Sequence, residues 1–291
     1  MHARVAAATT AAFIGGTVLI LPTSHAQAGS LRKAPLIVSH RGASAYAPEN
    51  TLASIDKASA MGFGWVENDV QRTKDGELVV LHDASLARTT DVKKVYPHRA
   101  PWKVKDFTAA EIARLDAGSW FGPRYAGTRV PTLKQYMNRV SHNHQKLVLE
   151  IKNPELYPGI ERQTLKVLSN EGWLDPDHLR NRLVVQSFSE QSVRTVHELR
   201  PGITTAFLGK PSVGRLHEYA RFADLINPDH ASLSADYVSA VHSFVGPHSR
   251  PMEVFTWTID DANTARRLAG YGVDGVITNK PDVIRSALQQ T

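Results

Sequence analysis

The sequence predicts an α/β fold, a TIM (β/α)8 barrel, on three observations. Short apolar, β-prone runs alternate with stretches of helical period along nearly the whole chain; apart from one hairpin the runs number eight; and several end on polar, chemistry-bearing residues. Eight parallel strands with helices between them close into a barrel of roughly 250 residues whose active site lies where the strands end. The chain has 291 residues, 42% hydrophobic and 21% charged, a balance that supplies one large core.

The first 28 residues read as standing outside that core. Arg4 gives a positive start, Ala11 to Pro22 is a short apolar run, and Ala26-Gln27-Ala28 is a small-x-small cleavage signal. The run falls short of the about 20 apolar residues a spanning helix needs, so no transmembrane anchor is expected. The expectation is a secreted protein, cleaved after Ala28 to leave a domain over 29–291. Cysteine is absent, which excludes a disulfide framework and a thiolate metal site. The net charge of +6 is dispersed, with no run of five or more cations, whereas a nucleic-acid binder carries a clustered basic stripe. The expected partner is a small molecule, with mild attraction for anionic substrates.

Taken in order, the first strand is Leu36 to His40. A loop holding Pro48-Glu49-Asn50-Thr51 follows, with Asn50 placed to cap a helix whose apolar face is Leu52, Ile55 and Ala58. In the second strand the period of two sets Glu67 and Asp69 on one face and Val66, Asn68 and Val70 on the other. By itself such a pair is more often the solvent face of a sheet. Thr73-Lys74-Asp75-Gly76 carries turn chemistry and is too short for a parallel crossover, so Leu78 to His82 folds back antiparallel and brings His82 near the carboxylates. From about 84 to 131 the pattern is irregular, an insertion between strand 2 and helix 2, with one helix from about Ala109 to Asp116 opened by a Thr108–Glu111 capping box. A second box, Thr132–Gln135, opens the next helix. Strand three, Leu147 to Lys152, sets Glu150 and Lys152 on one face. The remaining strands are Arg182–Phe188, Thr204–Leu208, Ala223–Asn227, Val254–Thr258 and Gly275–Thr278, with helices at about 159–171, 189–199, 212–221, 233–245 and 260–271. His40, Glu67, Asp69, Glu150, Lys152, Gln186 and Trp257 all sit late in their strands and are expected at one mouth. His142 and His144 precede strand three, at the opposite end, and His230 is a loop histidine at the correct end.

These residues form an ordered set: His40-Arg41-Gly42, Pro48-Glu49-Asn50-Thr51, Glu67-x-Asp69, Lys74-Asp75-Gly76, His82-Asp83, Glu150-x-Lys152, Trp257-Thr258 and Gly272-Val273-Asp274-Gly275. Each piece is weak alone; in this order and spacing the chain resembles the glycerophosphodiester phosphodiesterase family over nearly all of 29–291. The resemblance implies hydrolysis of glycerophosphodiesters to glycerol 3-phosphate and an alcohol, by attack of the neighbouring glycerol hydroxyl and later opening of a cyclic phosphate. It implies a divalent cation held by Glu67, Asp69 and Glu150, calcium first and magnesium next, with manganese or zinc admitted. His40 would be the base and His82 the acid. Arg41 and Lys152 would neutralise phosphoryl charge. Trp257 would wall the glycerol or head-group pocket, or else pack as a core residue, and Glu49 and Asn50 would touch substrate, or else serve as a loop bond and a cap. The irregular segment matches the insertion such a relative would carry. Asn279 stands where the family often has Asp and is expected to cap the helix opened by Pro281. Two other readings remain: a phospholipase D or sphingomyelinase D-like lipid phosphodiesterase, and a non-catalytic, calcium-stabilised binder of cell-wall phosphodiester polymers. The latter would be marked by loss of a histidine or a metal carboxylate, and none is lost.

Overall fold

The computed structural model describes residues 1–2 and 34–289, and the account below concerns the unit Lys33–Thr291. The expected leader and its cleavage signal lie outside the described residues. Eight parallel strands close a barrel: β1 (Leu36–Ser39), β2 (Trp65–Arg72), β4 (Lys146–Ile151), β5 (Leu183–Ser187), β6 (Thr204–Leu208), β7 (Leu225–Asn227), β8 (Glu253–Thr256) and β9 (Gly275–Thr278). They neighbour one another in chain order, and Ser39 opposite Val66 completes the ring. β3 (Leu78–Val80) runs antiparallel on the outer half of β2, with Val70 opposite Val80.

Both faces of a parallel sheet are covered, and here the period of two sorts them. Val38, Val148, Val184, Ala206, Leu225, Phe255 and Ile277 form the layer that fills the barrel. Their outward neighbours, such as Val66, Leu147, Leu149, Val254 and Val276, pack under the helices. Two residues beyond the inner layer, on the same face, come His40, Glu150, Gln186, Leu208, Asn227, Trp257 and Asn279. Gly275 lies on the inner face because Phe255 occupies its side-chain space: a Cβ there would stand 2.6 Å from the ring.

The helices differ from the sequence pattern where capping or length decides. Helix α1 (Leu52–Ala60) is capped by Thr51, not Asn50: Thr51 is extended and shares a capping box with Ser54, whereas Asn50 has φ +58 and turns its side chain elsewhere. In the segment after β3, α2 (Val92–Val95) was not predicted, and α3 (Ala109–Ile112) opens on the expected Thr108 box but stops after one turn. It stops because Arg114 and Leu115 bond the carbonyls of Glu111 and Ile112 in 3-10 fashion, freeing Asp116 for the loop beyond. This segment has its own small core, around Leu86, Val104, Phe107 and Leu115. Then come α4 (Leu133–His142), opened by Thr132 as expected, and α5 (Ile160–Asn170). The sequence pattern misses α6 (Pro176–Asn181), six residues capped by Asp175 and too short to show a period. The chain continues with α7 (Glu190–Leu199), α8 (Leu216–Tyr219), α9 (Ala235–His242), α10 (Ala262–Tyr271) and α11 (Pro281–Gln289). The helix expected over 212–221 is a 3-10 turn, Val213–Arg215, leading into the single turn of α8. Among the described residues no helix is long and apolar enough to cross a membrane.

Candidate active site

Glu67 and Asp69 leave β2 on its inner face, and Glu150 lies opposite Asp69 on β4. All three are buried, and one oxygen from each falls within 4.8 Å of the others. Three carboxylates so placed cannot all ionise freely. Burial, then the charges of Asp69 and Glu150, holds the Glu67 carboxyl well above its ordinary value. Burial, then Asp69, raises Glu150 to about 7. Burial also pulls Asp69 up, but Arg41 and Lys152 outweigh it and keep that carboxylate ionised. Arg41 Nε is 3.3 Å from Asp69 Oδ2, Lys152 Nζ is 3.7 Å from Oδ1, and the Asn50 amide donates to Oδ2 at 2.8 Å. Asp69 Oδ1 is buried with no hydrogen bond. An all-oxygen donor set with surplus negative charge and an orphaned oxygen fits a hard divalent cation.

The turn after β1 is built for this cluster. Arg41 (φ +53) and Gly42 (φ +81) are left-handed, and a Cβ on Gly42 would sit 2.4 Å from Ser54 Oγ, so glycine is required there. The turn aims the Arg41 N–H at Glu67 Oε2, 2.9 Å away. His40 Nδ1 lies 2.7 Å from Asn279 Oδ1, and Asn279 Nδ2 donates to Asp260 Oδ2 at 2.7 Å. Asp260 accepts, so the amide is oriented with its oxygen toward His40, and Nδ1 carries the proton. Nε2 then faces the triad, 3.9 Å from Glu67 Oε2. Burial, then Arg41, pushes His40 down to about 4, so the ring is neutral near pH 7. Asn279 therefore does not cap α11, as the sequence pattern suggests; that helix opens on Lys280, whose carbonyl accepts from Ile284. The side chain is committed to the imidazole.

His82 is not on a strand. β3 ends at Val80; Leu81 N–H still bonds the Asp69 carbonyl, and the Gln71 side-chain amide then holds the turn that follows, reaching the carbonyls of Leu81, His82 and Asp83 at 2.9, 3.0 and 2.6 Å. In that turn His82 Nδ1 meets Asp83 Oδ1 at 2.7 Å, leaving Nε2 as its free nitrogen.

His40, Arg41, Glu67, His82, Glu150, Lys152 and Trp257 line one cavity of about 100 Å³ at the carboxyl ends of the strands, with Gln186, Phe188 and Leu208. Trp257 is a half-buried wall: its ring meets Phe188 edge-on at 5.5 Å and its Nε1 donates to the Asn227 carbonyl. Phe188, half exposed, also lies under Lys152 Nζ at 5.1 Å. Asp69, Glu49 and Asn50 stand behind the wall, Glu49 bonding Arg41 Nη1 at 2.9 Å and Asn50 bonding Asp69. His142 ends α4, away from this mouth, and neither it, His144 nor His230 lines the cavity. A larger cavity of about 680 Å³ opens where the strands begin, among Leu36, Trp65, Lys146 and Phe255, and carries none of these groups. Volume does not locate the chemistry here; the charged groups do.

Sequence reasoning missed Gln71, Asp83, Arg88, Asp260 and Asn279 as parts of this site. For Asn279 a signal existed, since it follows a strand whose inner face is Ile277. For Asp260 none did, because its partner Asn279 lies beyond a whole helix; Arg88 follows Asp83 closely, but its other partner, Glu49, is on the far side of two strands, and nothing local pairs the two.

The chain matches the profile of the Glycerophosphoryl diester phosphodiesterase family over residues 40–283. It is 34% identical over 281 residues to a glycerophosphodiester phosphodiesterase of Bacillus subtilis, covering 91% of each chain. It is 33% identical to one of Caldanaerobacter subterraneus, over 86% of this chain and 96% of that one. The solved structure of a phosphodiesterase of Oleispira antarctica in complex with the product sn-glycerol-3-phosphate superposes with a TM-score of 0.75 at 30% identity, over 88% of this chain and 97% of that one. A barrel of this topology with the matching residues at its mouth, and relatives of this closeness over nearly their full length, lead to one conclusion: the chain belongs to the glycerophosphoryl diester phosphodiesterase family.

Proposed function

We propose that the protein hydrolyses glycerophosphodiesters to glycerol 3-phosphate and an alcohol, with a divalent cation at Glu67, Asp69 and Glu150. The observation that carries this reading is the meeting, in one cavity, of Glu67 and Glu150 of the carboxylate cluster, with Asp69 just behind them, and two histidines whose Nδ1 atoms are each held by an acceptor. The relatives named above and the product bound in the Oleispira antarctica structure support the substrate class. Bound by the three carboxylates, the cation, calcium before magnesium, would supply Lewis acidity to the phosphoryl oxygens and the attacking hydroxyl.

His40 Nε2 takes the proton of the glycerol hydroxyl beside phosphorus as that oxygen bonds to phosphorus. His82 Nε2 gives a proton to the alcohol oxygen as its bond to phosphorus breaks. Water then opens the cyclic phosphate with the two roles reversed. Arg41 and Lys152 neutralise charge on the phosphoryl oxygens. Glu49 and Asn50 hold Arg41 and Asp69, and Trp257 with Phe188 borders the space for the glycerol or the head group. We also propose, on the pattern of residues 1–28 alone, that the protein is exported and cleaved after Ala28, which N-terminal sequencing of the secreted form tests.

The functional test is release of glycerol 3-phosphate from glycerophosphocholine by the 29–291 protein, stripped with chelator and then given calcium, magnesium, manganese or zinc singly. Metal-dependent release is expected. Phosphatidic acid from a phospholipid with no release from glycerophosphocholine would favour the lipid-cleaving reading instead, and no turnover with any metal would end the enzymatic one.

A further inference from the structure

Arg88 stands outside the cavity, in the segment that follows β3, and four hydrogen bonds tie its guanidinium to two carboxylates. Nη1 and Nη2 each donate to Glu49 at 2.8 Å, while Nε and Nη2 donate to Asp83 at 2.7 and 2.9 Å. Each carboxylate is also bonded to a residue of the cavity. Glu49 accepts from Arg41 Nη1 at 2.9 Å, and Asp83 from His82 Nδ1 at 2.7 Å. One planar fork thus joins the turn after β1, which carries Arg41, to the turn after β3, which carries His82. An isolated surface pair contributes little. Here the donors are bidentate on both sides and both acceptors are already engaged, so the fork sets geometry as well as energy.

We propose that Arg88 is a positioning residue for the leaving-group step: it holds Asp83, and through Asp83 the His82 ring, in the orientation that presents Nε2 to the departing alcohol, in register with Arg41. This rests on the phosphodiesterase reading. Without Arg88 the Asp83 carboxylate is free to turn to solvent, His82 Nδ1 loses its fixed acceptor, and the ring that must present its Nε2 proton is no longer held in one orientation. The carboxylate cluster keeps its own contacts to Arg41, Lys152 and Asn50. The defect therefore falls on proton delivery, and its size follows how much the leaving group needs a proton.

The test compares kcat/KM on two substrates, read as release of the alcohol. One is glycerophosphocholine, whose alcohol leaves only with a proton; the other is the p-nitrophenyl ester of glycerol phosphate, whose phenolate leaves without one. For Arg88→Ala we expect a loss on the order of 100-fold on the choline ester and less than about 5-fold on the nitrophenyl ester. Arg88→Lys is expected to behave alike, because a point-charge ammonium does not span both carboxylates. Asp83→Asn, which leaves Arg88 in place, is expected to show the same discrimination. Equal losses on both esters, or no loss on either, would overturn the proposal. Absence of turnover by the unaltered protein on both esters is a separate result that removes the phosphodiesterase reading and this inference with it.

Discussion

Exchanging Asp260 and Asn279 tests how His40 is held. In the native arrangement an amide separates the carboxylate from the imidazole, with Asn279 Oδ1 2.7 Å from His40 Nδ1 and Asn279 Nδ2 2.7 Å from Asp260 Oδ2. Asn279→Asp alone would set two carboxylates face to face at that spacing, and a shared proton would cancel the effect. The double variant Asp260→Asn/Asn279→Asp moves the charge next to the ring at constant net charge. A carboxylate in contact with an imidazole raises its pKa by about 1 to 3 units, so His40, held down to about 4 by burial and then Arg41, is expected between about 5 and 7. The base acts when neutral, so activity is lost as pH falls through its pKa, and the acid limb moves up. For a rise of about two units the neutral fraction at about pH 5 drops from roughly nine-tenths to one-tenth. The stability effect follows the same shift. The folded pKa lies below the ordinary 6.5, so the contribution of neutral His40 is full above 6.5 and lost as pH falls toward about 4. The exchange narrows that window. The assay is kcat/KM against pH with saturating metal, beside acid-unfolding curves. An acid limb that stays in place, or moves down, would refute the assignment of His40 as the base held through Asn279.

Four further outcomes are expected. Glu67→Ala is expected to abolish both metal binding and turnover, whereas His82→Ala keeps the metal and loses about 10²- to 10⁴-fold in rate; calorimetric titration with the parallel assay checks both, and full activity in either variant defeats the roles given. Because burial and like charges hold Glu67 above its ordinary value and Glu150 at about 7, metal binding near pH 6 releases protons and strengthens as pH rises through about 7; titrations in buffers of different ionisation enthalpy that show no proton release would contradict this. Asp116 accepts from the backbone of Gly118, Ser119 and Gly127 and from the Ser119 hydroxyl, bonds that outweigh its burial and hold its carboxyl below the ordinary value. Its stabilisation is thus full above about pH 4 and declines as pH falls from there toward the depressed folded value, so Asp116→Ala should cost about 2 kcal/mol in urea unfolding at neutral pH and progressively less between about pH 4 and pH 2. Gly275→Ala, which drives a Cβ to 2.6 Å from the Phe255 ring, is expected to cost about 1–3 kcal/mol, and an unchanged unfolding midpoint would show that the ring moves aside freely.

The strand ends were legible because a strand alternates its side chains without help from anything distant. Val38 to His40, Val148 to Glu150 and Val184 to Gln186 each step from the filled barrel to its mouth by two residues, and the order of motifs placed them on successive strands. Capping boxes at Thr108 and Thr132 were legible for the same local reason. Asn50 and Thr51 show where local evidence divides: both are good caps, and Asn50 is taken out of contention by a buried carboxylate nineteen residues away in sequence.

Sequence by itself determined which strand positions face inward and that acidic, basic and imidazole groups end those strands. These are properties of neighbours in the chain, set by backbone period. Only tertiary structure decided which nitrogen of each histidine is free, since that depends on Asn279 and Asp260 for one ring and on Asp83, with Gln71 shaping its turn, for the other. It also decided which carboxylates ionise, because burial and the positions of Arg41 and Lys152 are set by the closure of the barrel and not by spacing along the chain.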